Sequence, residues 1–192
     1  MSSDRLTFSL RSATLADAAT LAALGERLFR DAFAADNRPE DVAAHLAATF
    51  GCGLQAAQLA DDTMHTFLVE SRDGSAIGYA QLREHPAPVA VPGSRPIEVM
   101  RLYVDRPWFG RGVAPALMAA CAAEARRRGG DVLWLGVWER NARAIAFYEK
   151  CGFRRVGIQP FQLGSDRQTD YVMARPLRAD QSSSAGSTAL RQ

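Results

Sequence analysis

The sequence predicts a mixed α/β domain around a largely antiparallel sheet, and three observations carry that expectation. Strand-like runs of four to eight residues alternate with Ala- and Leu-rich runs of helical periodicity along the chain. Asp73-Gly74 stands between two strand-like runs as a hairpin turn. Val132-Leu133-Trp134-Leu135-Gly136-Val137-Trp138 is almost wholly apolar, as a strand covered on both faces must be, and it follows a helical run that serves as a crossover.

The elements follow in order. Leu6, Phe8 and Leu10 alternate with polar residues and predict a strand over Leu6–Leu10. Thr14, with Asp17 three positions on, is a capping-box start for a helix running to about Ala35. Pro39 suits the first position of a second helix over 39–50, which Gly51 and Gly53 end. A short helical piece precedes Asp61, and Met64–Glu70 and Ala76–Arg83 are the hairpin strands. Residues 85–93 hold three prolines and form a loop, and Ile97–Val104 is a strand rich in branched and aromatic side chains. From Gly110-Arg111-Gly112 a helix runs to about Arg128, with Val113, Leu117, Cys121 and Ala125 at helical spacing and Gly129-Gly130 as its stop. Asn141 caps a further helix to Lys150, and Phe153–Gln162 and Thr169–Met173 are closing strands. Residues 179–192 are rich in Ser, Ala and Gln with a single Leu, a composition expected to stay disordered, which leaves a single domain over 5–178.

Composition narrows the function. A chain of 192 residues with 47% hydrophobic and 23% charged residues has enough apolar material for one core. A net charge of +2 is too small to argue for nucleic acid or an anionic membrane as partner. Cys52, Cys121 and Cys151 are an odd set without a CxxC pair, which suits reduced thiols. Residues 1–10 have no signal-peptide core, and no run approaches the ~18 apolar residues of a membrane span. A cytoplasmic location is expected. His45, His65 and His85 lie far apart without ligand spacing, so no metal is expected.

The informative unit is a strand, then Gly110-Arg111-Gly112-Val113-Ala114, then a helix. The first turn of a helix leaves N–H groups without internal partners and carries partial positive charge, so glycines there can let the main chain approach a phosphate. Bare turn geometry is the commoner reason for glycines at such a turn. A P-loop would need Lys-Ser/Thr where Val113 and Ala114 stand, and a dinucleotide turn would need a third glycine.

The longer pattern is more specific. Ile97-Glu98-Val99-Met100-Arg101-Leu102-Tyr103-Val104, the 110–114 turn with its helix, and the run from Trp138-Glu139-Arg140-Asn141 through Phe147-Tyr148 to Gly152-Phe153 closely resemble the GCN5-related N-acetyltransferase (GNAT) superfamily. The strong match spans 95–157, and the element order is compatible over about 5–178. The resemblance implies the GNAT fold, with 97–104 and 132–138 as a parallel pair that splays apart around acyl-CoA. It implies that a β-bulge marks the first of these strands and that Leu102, Tyr103 and Val104 offer backbone groups to the pantetheine and acetyl carbonyl. The backbone of Gly110, Arg111, Gly112, Val113 and Ala114 would hold the pyrophosphate, with the Arg111 guanidinium near a phosphate. Asn141 would contact the pantetheine arm. Phe109 departs from the Gln or Arg that leads the family's glycine pattern.

The same resemblance implies direct acetyl transfer from acetyl-CoA to an amine, with Glu98 as base through a water and Tyr148 as acid to the departing thiolate. Phe29, Phe33, His45 and Phe50 would wall the acceptor site. The runs 31–37 and 166–170 look like the branch containing polyamine acetyltransferases, with Asp31, Asp36, Glu98 and Asp166 as candidates to attract a cationic amine. A small-molecule amine is the expected partner and a homodimer is allowed. A protein or peptide N-acetyltransferase and a non-catalytic acyl-CoA sensor are the alternatives.

Overall fold

A computed structural model of the protein describes residues 7–177; the expected tail over 179–192, and Leu6 with it, lie outside the described residues. Five α-helices and seven strands follow the predicted order. They are β1 (Phe8–Ser12), α1 (Ala18–Phe33), α2 (Pro39–Thr49), α3 (Cys52–Ala60), β2 (Met64–Ser71), β3 (Ala76–Arg83), β4 (Pro96–Val104), α4 (Val113–Arg127), β5 (Val132–Trp138), α5 (Ala142–Lys150), β6 (Arg154–Leu163) and β7 (Asp166–Pro176). One sheet runs β1-β2-β3-β4-β5-β7-β6. Every neighbouring pair is antiparallel except β4 and β5. Among the described residues no helix is long and apolar enough to cross a membrane.

Several boundaries differ from the sequence reading, each for a tertiary reason. The first strand sits two residues later than expected because its register is set by β2, with Phe8 opposite Ser71 and Ser12 opposite Phe67. Gly53 lies inside α3 rather than ending α2. The last strand extends to Asp166–Pro176 because it is central, hydrogen-bonded to β5 on one edge and β6 on the other.

The sheet separates two packed layers. On one face α4 and α5 cover Ile97, Val99, Leu133, Leu135, Val137 and Met173, with Leu117, Cys121 and Tyr148 in the same cluster. The other face carries α1, α2 and α3, where Leu21, Leu24, Leu28 and Tyr79 form one cluster and Phe29, Val42, Leu46, Phe50 and Leu163 another. Alternation along β5 and β7 sends Trp134, Val172 and Ala174 to this second side, where they pack with Val91 of the Pro-rich loop.

The parallel pair is short. Pro96, Ile97 and Glu98 pair with Val132, Leu133 and Trp134, and beyond them no register joins the two strands. β3 instead stays with β4 as far as Gly78–Val104, and β5 stays with β7 as far as Trp138–Asp170. The strands therefore part like a V, and the gap is a passage through the sheet from one helical layer to the other. A bulge in β4 accompanies the parting: Gln81 faces Arg101 and Leu82 faces Val99, so Met100 is the extra residue.

Candidate active site

The V opens into a cleft of about 1070 Å³. At one end stands the turn into α4. Gly110 and Gly112 have φ of +73° and +88°, values that side chains other than hydrogen rarely adopt. A Cβ placed on either would meet nothing within 4 Å, so the main chain there faces open space. Gly112 is the N-cap of α4 and brings no capping side chain, and Pro115 carries no N–H. The first-turn donors at Val113 and Ala114 thus have no side-chain partner from their own cap. This is a cradle suited to the pyrophosphate of a CoA, with the helix dipole behind it.

Basic side chains line the cleft, with Arg106 and Arg143 beside this turn and Lys150 at the last position of α5. The Arg106 guanidinium also donates to the Asp31 backbone carbonyl, and that of Arg143 lies over the Phe109 ring, 3.2 Å from its centroid. Desolvation and the nearby Arg106 charge lower the Arg143 pKa.

In the middle of the cleft the two strands present backbone on either side. Leu102 and Val104 turn their side chains into the α4–α5 layer, and Tyr103 turns toward α1. Asn141 caps α5 by accepting from the Ala144 N–H at 3.1 Å, a contact worth about 1 kcal/mol, and among the described residues its Nδ2 donates to no partner beside the cleft. Tyr148 follows two turns later and lines the same wall. Burial, then Tyr103, Cys121 and Cys151 in turn, push its phenol well above the usual range, so it stays protonated at neutral pH.

The far end is built of rings. Phe29 and Phe33 of α1 meet at a tilt with centroids 4.7 Å apart, and Phe33 meets Trp138 edge-on at 6.2 Å. Phe161 of β6 closes the opposite side. His45 and Phe50 stand behind Phe29, at 4.4 Å and 5.8 Å, and support it without lining the cleft. Desolvation, then Arg101, holds the His45 pKa down.

Most sequence-predicted residues are brought together here: Leu102, Tyr103, Val104, Gly110, Gly112, Ala114, Asn141 and Tyr148 all line the cleft. Three do not. Arg111 is exposed outside it, and the Val113 side chain is buried in the core, so each has its backbone alone to offer. Glu98 stands furthest from its expected place. It is 7% exposed and lies opposite Arg83 on β3, which donates Nε and a terminal nitrogen to one carboxylate oxygen at 2.8 and 2.6 Å. It sits before the strands part, is held by a cation, and does not line the cleft where a base would stand. The bulge expected in this strand is present at Met100, just ahead of Leu102–Val104. Of the acidic residues expected to attract an amine, Asp31 lines the cleft beside Arg106; Asp36 and Asp166 do not, and Asp166 accepts from Gln168 at 2.9 Å.

Sequence reasoning missed Arg106, Arg143, Gly136 and Asp170, all on the cleft. Arg143 lies in the run that carries the resemblance, and a cation at the start of a helix beside a glycine turn is a signal the sequence contains. Asp170 closes the 166–170 run, but its place opposite Trp138 depends on strand register.

Comparison with known proteins agrees with this geometry. The acetyltransferase (GNAT) family model matches residues 26–153. An uncharacterized N-acetyltransferase of Mycobacterium tuberculosis is 35% identical over 166 residues, covering 85% of this chain and 99% of the relative. An aminoglycoside N(6')-acetyltransferase type 1 of Stenotrophomonas maltophilia is 32% identical over 146 residues, covering 76% and 85%. Among solved structures, a PaiA N-acetyltransferase from Thermoplasma acidophilum in complex with coenzyme A superposes with a TM-score of 0.71 at 15% identity, covering 89% of this chain and 99% of that one. With a matching family model over two thirds of its length and the splayed β4–β5 pair in place, the chain belongs to the GNAT acetyltransferase family.

Proposed function

We propose that this protein transfers the acetyl group of acetyl-CoA to a small primary amine by direct attack of the amine on the thioester. The observation that supports this reading best is the continuity of the cleft through the sheet. The glycine turn and Arg143 lie on the α4–α5 side, the ring-lined chamber lies on the α1–α2 side, and the two meet where β4 and β5 part.

Each residue then has a task. Gly110, Gly112 and Ala114 offer main-chain N–H groups to the pyrophosphate, and Arg106, Arg143 and Lys150 balance its charge. Asn141 offers its free amide to the pantetheine arm. The edge of β4 from Met100 to Val104, released from β5, supplies preorganised donors for the oxyanion that develops on the carbonyl oxygen. Tyr148 donates its proton to the departing sulfur. The thioester supplies an activated acyl group, so no cysteine nucleophile is needed. Cys121 fits that view: it is buried in the core and its thiol is pushed up to about 12 by desolvation.

A small acceptor suits the chamber because α1 and the β6–β7 hairpin wall it on both sides. The acidic set that would mark a polyamine site is not gathered there, so the reading is a small amine without the polyamine restriction. The Stenotrophomonas relative, named for an aminoglycoside acceptor, supports a small-molecule substrate. The test is release of free CoA thiol, followed with a chromogenic disulfide, over a panel of monoamines, polyamines and peptide N-termini. Turnover with a small amine is expected. Tight acetyl-CoA binding with no release for any amine would make the protein a sensor.

A further inference from the structure

A buried carboxylate on the acceptor side has no partner among the described residues. Asp170 of β7 is 8% exposed and lines the cleft. Among the described residues its carboxylate accepts no hydrogen bond and joins no ion pair. An uncompensated buried charge is costly, and a fold retains one where a ligand supplies the missing cation.

Its position is set by register. Asp170 lies opposite Trp138 of β5 and Gln159 of β6, at the open end of the V. Alternation places it on the same face as Val172, whereas Met173 packs into the Tyr148 layer. Asp170 and Tyr148 therefore approach the gap in the sheet from opposite faces. The strand position that fronts Asp170 is Gly136: a Cβ there would lie 3.1 Å from Asp170 Oδ2 and 2.7 Å from Gln159 Nε2. Glycine at this point in an otherwise large-residue strand keeps the space before the carboxylate open.

We propose that Asp170 binds the acceptor's ammonium and takes its proton, and that the chamber it faces admits a primary monoamine carried on an apolar, ring-sized body. This deepens the acetyltransferase reading and rests on it. Phe29, Phe33, Trp138 and Phe161 supply flat apolar walls that also attract a cation near their faces. One carboxylate matches one ammonium. A second cationic centre on the acceptor meets Arg101 in this chamber, and the other acidic residue on the cleft, Asp31, sits at the Arg106 end.

The step balances. One ammonium proton passes to an Asp170 oxygen and frees the nitrogen lone pair. That pair forms the C–N bond with the thioester carbonyl carbon, the C–S bond breaks, and its electrons leave on sulfur. A second nitrogen proton reaches the sulfur by way of the Tyr148 hydroxyl, and the third remains as the amide N–H. Asp170 then gives its proton to water, so one proton is released per turnover.

The electrostatics suit a base. Desolvation first and the Glu139 charge second raise the Asp170 pKa to about 6, so it is ionised at neutral pH yet more basic than an ordinary carboxylate. The titratable groups facing it are Glu139 from the turn after β5 and Tyr103 from β4; Gln159 of β6 and Gly136 of β5 are uncharged.

The experiment measures kcat/KM from pH 5 to 9 for 2-phenylethylamine, spermidine and an alanine-leading peptide, with acetyl-CoA affinity by calorimetry. For the wild type, a limb rising through about pH 6 is expected, with 2-phenylethylamine at least tenfold above the other two. Asp170→Asn should lose ~10²-fold and the limb together, at unchanged acetyl-CoA affinity. Gly136→Ala should raise the acceptor KM about tenfold, also at unchanged affinity. Should Asp170→Asn fail to fold, Asp170→Ser and the wild-type limb carry the test. An Asp170 variant that keeps the limb, a wild type without one, or preference for spermidine or peptide overturns the inference while leaving acetyl transfer standing. No CoA release with any amine overturns both.

Discussion

The guanidinium carbon of Arg143 lies 3.2 Å from the centre of the Phe109 ring, and this contact joins α5 to the turn before α4. Phe109 stands where the resembling sequences lead with Gln or Arg. The structure returns a cation to the site from a different element: the ring holds the Arg143 guanidinium beside the glycine turn, near Arg106. Arg143→Ala should raise the acetyl-CoA dissociation constant about tenfold, or ~1.4 kcal/mol, and flatten its salt dependence. Phe109→Leu should give a smaller, few-fold loss. Calorimetry showing wild-type affinity in both variants would mean that the pair is surface stacking alone.

Gly112 and Gly74 make an internal control. Both have positive φ, +88° and +82°, and a Cβ at either meets nothing within 4 Å. Alanine at either position should cost about 1 kcal/mol of stability through the same backbone strain. Gly112→Ala should also weaken acetyl-CoA binding severalfold, since its methyl enters the cradle, whereas Gly74→Ala in the β2–β3 hairpin should not. Equal affinities for the two variants would remove the phosphate role from the turn.

Tyr148→Phe keeps the ring packed between Phe147 and Phe153, at 5.4 and 5.9 Å, and deletes the hydroxyl. Turnover should fall ~10- to 10³-fold with fold and acetyl-CoA affinity intact. The deficit should shrink for an acyl donor with a better leaving thiol. Wild-type turnover under conditions where chemistry limits the rate would leave Tyr148 a packing residue.

Two buried carboxylates should respond oppositely to neutralisation. Glu98 is paired with Arg83, so Glu98→Gln should destabilise the fold by about 1–2 kcal/mol without altering the pH–rate profile. Asp170 has a folded-state pKa of about 6, above its ordinary value, so the native state holds the proton more tightly than the unfolded chain. Its ionisation therefore costs stability as pH rises from about 4 to 6, and the full cost persists above that. Asp170→Asn should raise the melting temperature at pH 8 by a few degrees, with the gain fading toward pH 4. A lower melting temperature at pH 8 would show that the carboxylate is stabilised by its surroundings.

Local chemistry made much of the site legible. The 110–114 turn, the Asn141 cap and Tyr148 each depend on neighbours within one or two turns of chain, and such features survive in a linear reading. The same holds for helix starts at Pro39 and Asn141 and for the Asp73-Gly74 hairpin. The Arg83 partner of Glu98 was not legible because strand alternation gives a face but not a partner: Arg83 reaches it across β3–β4, 15 positions earlier in the chain.

By itself the sequence determined the order of elements, the glycine turn before α4 and the family, because caps, glycine turns and periodicity act over a few residues. Tertiary structure alone decided which carboxylate faces the cleft, where β4 and β5 part, and how Arg143 reaches Phe109. Those outcomes follow from strand register, and a one-residue shift exchanges the two faces of a sheet. The residue opposite Trp138 is Asp170 only because β7 is pinned between β5 and β6 along its whole length.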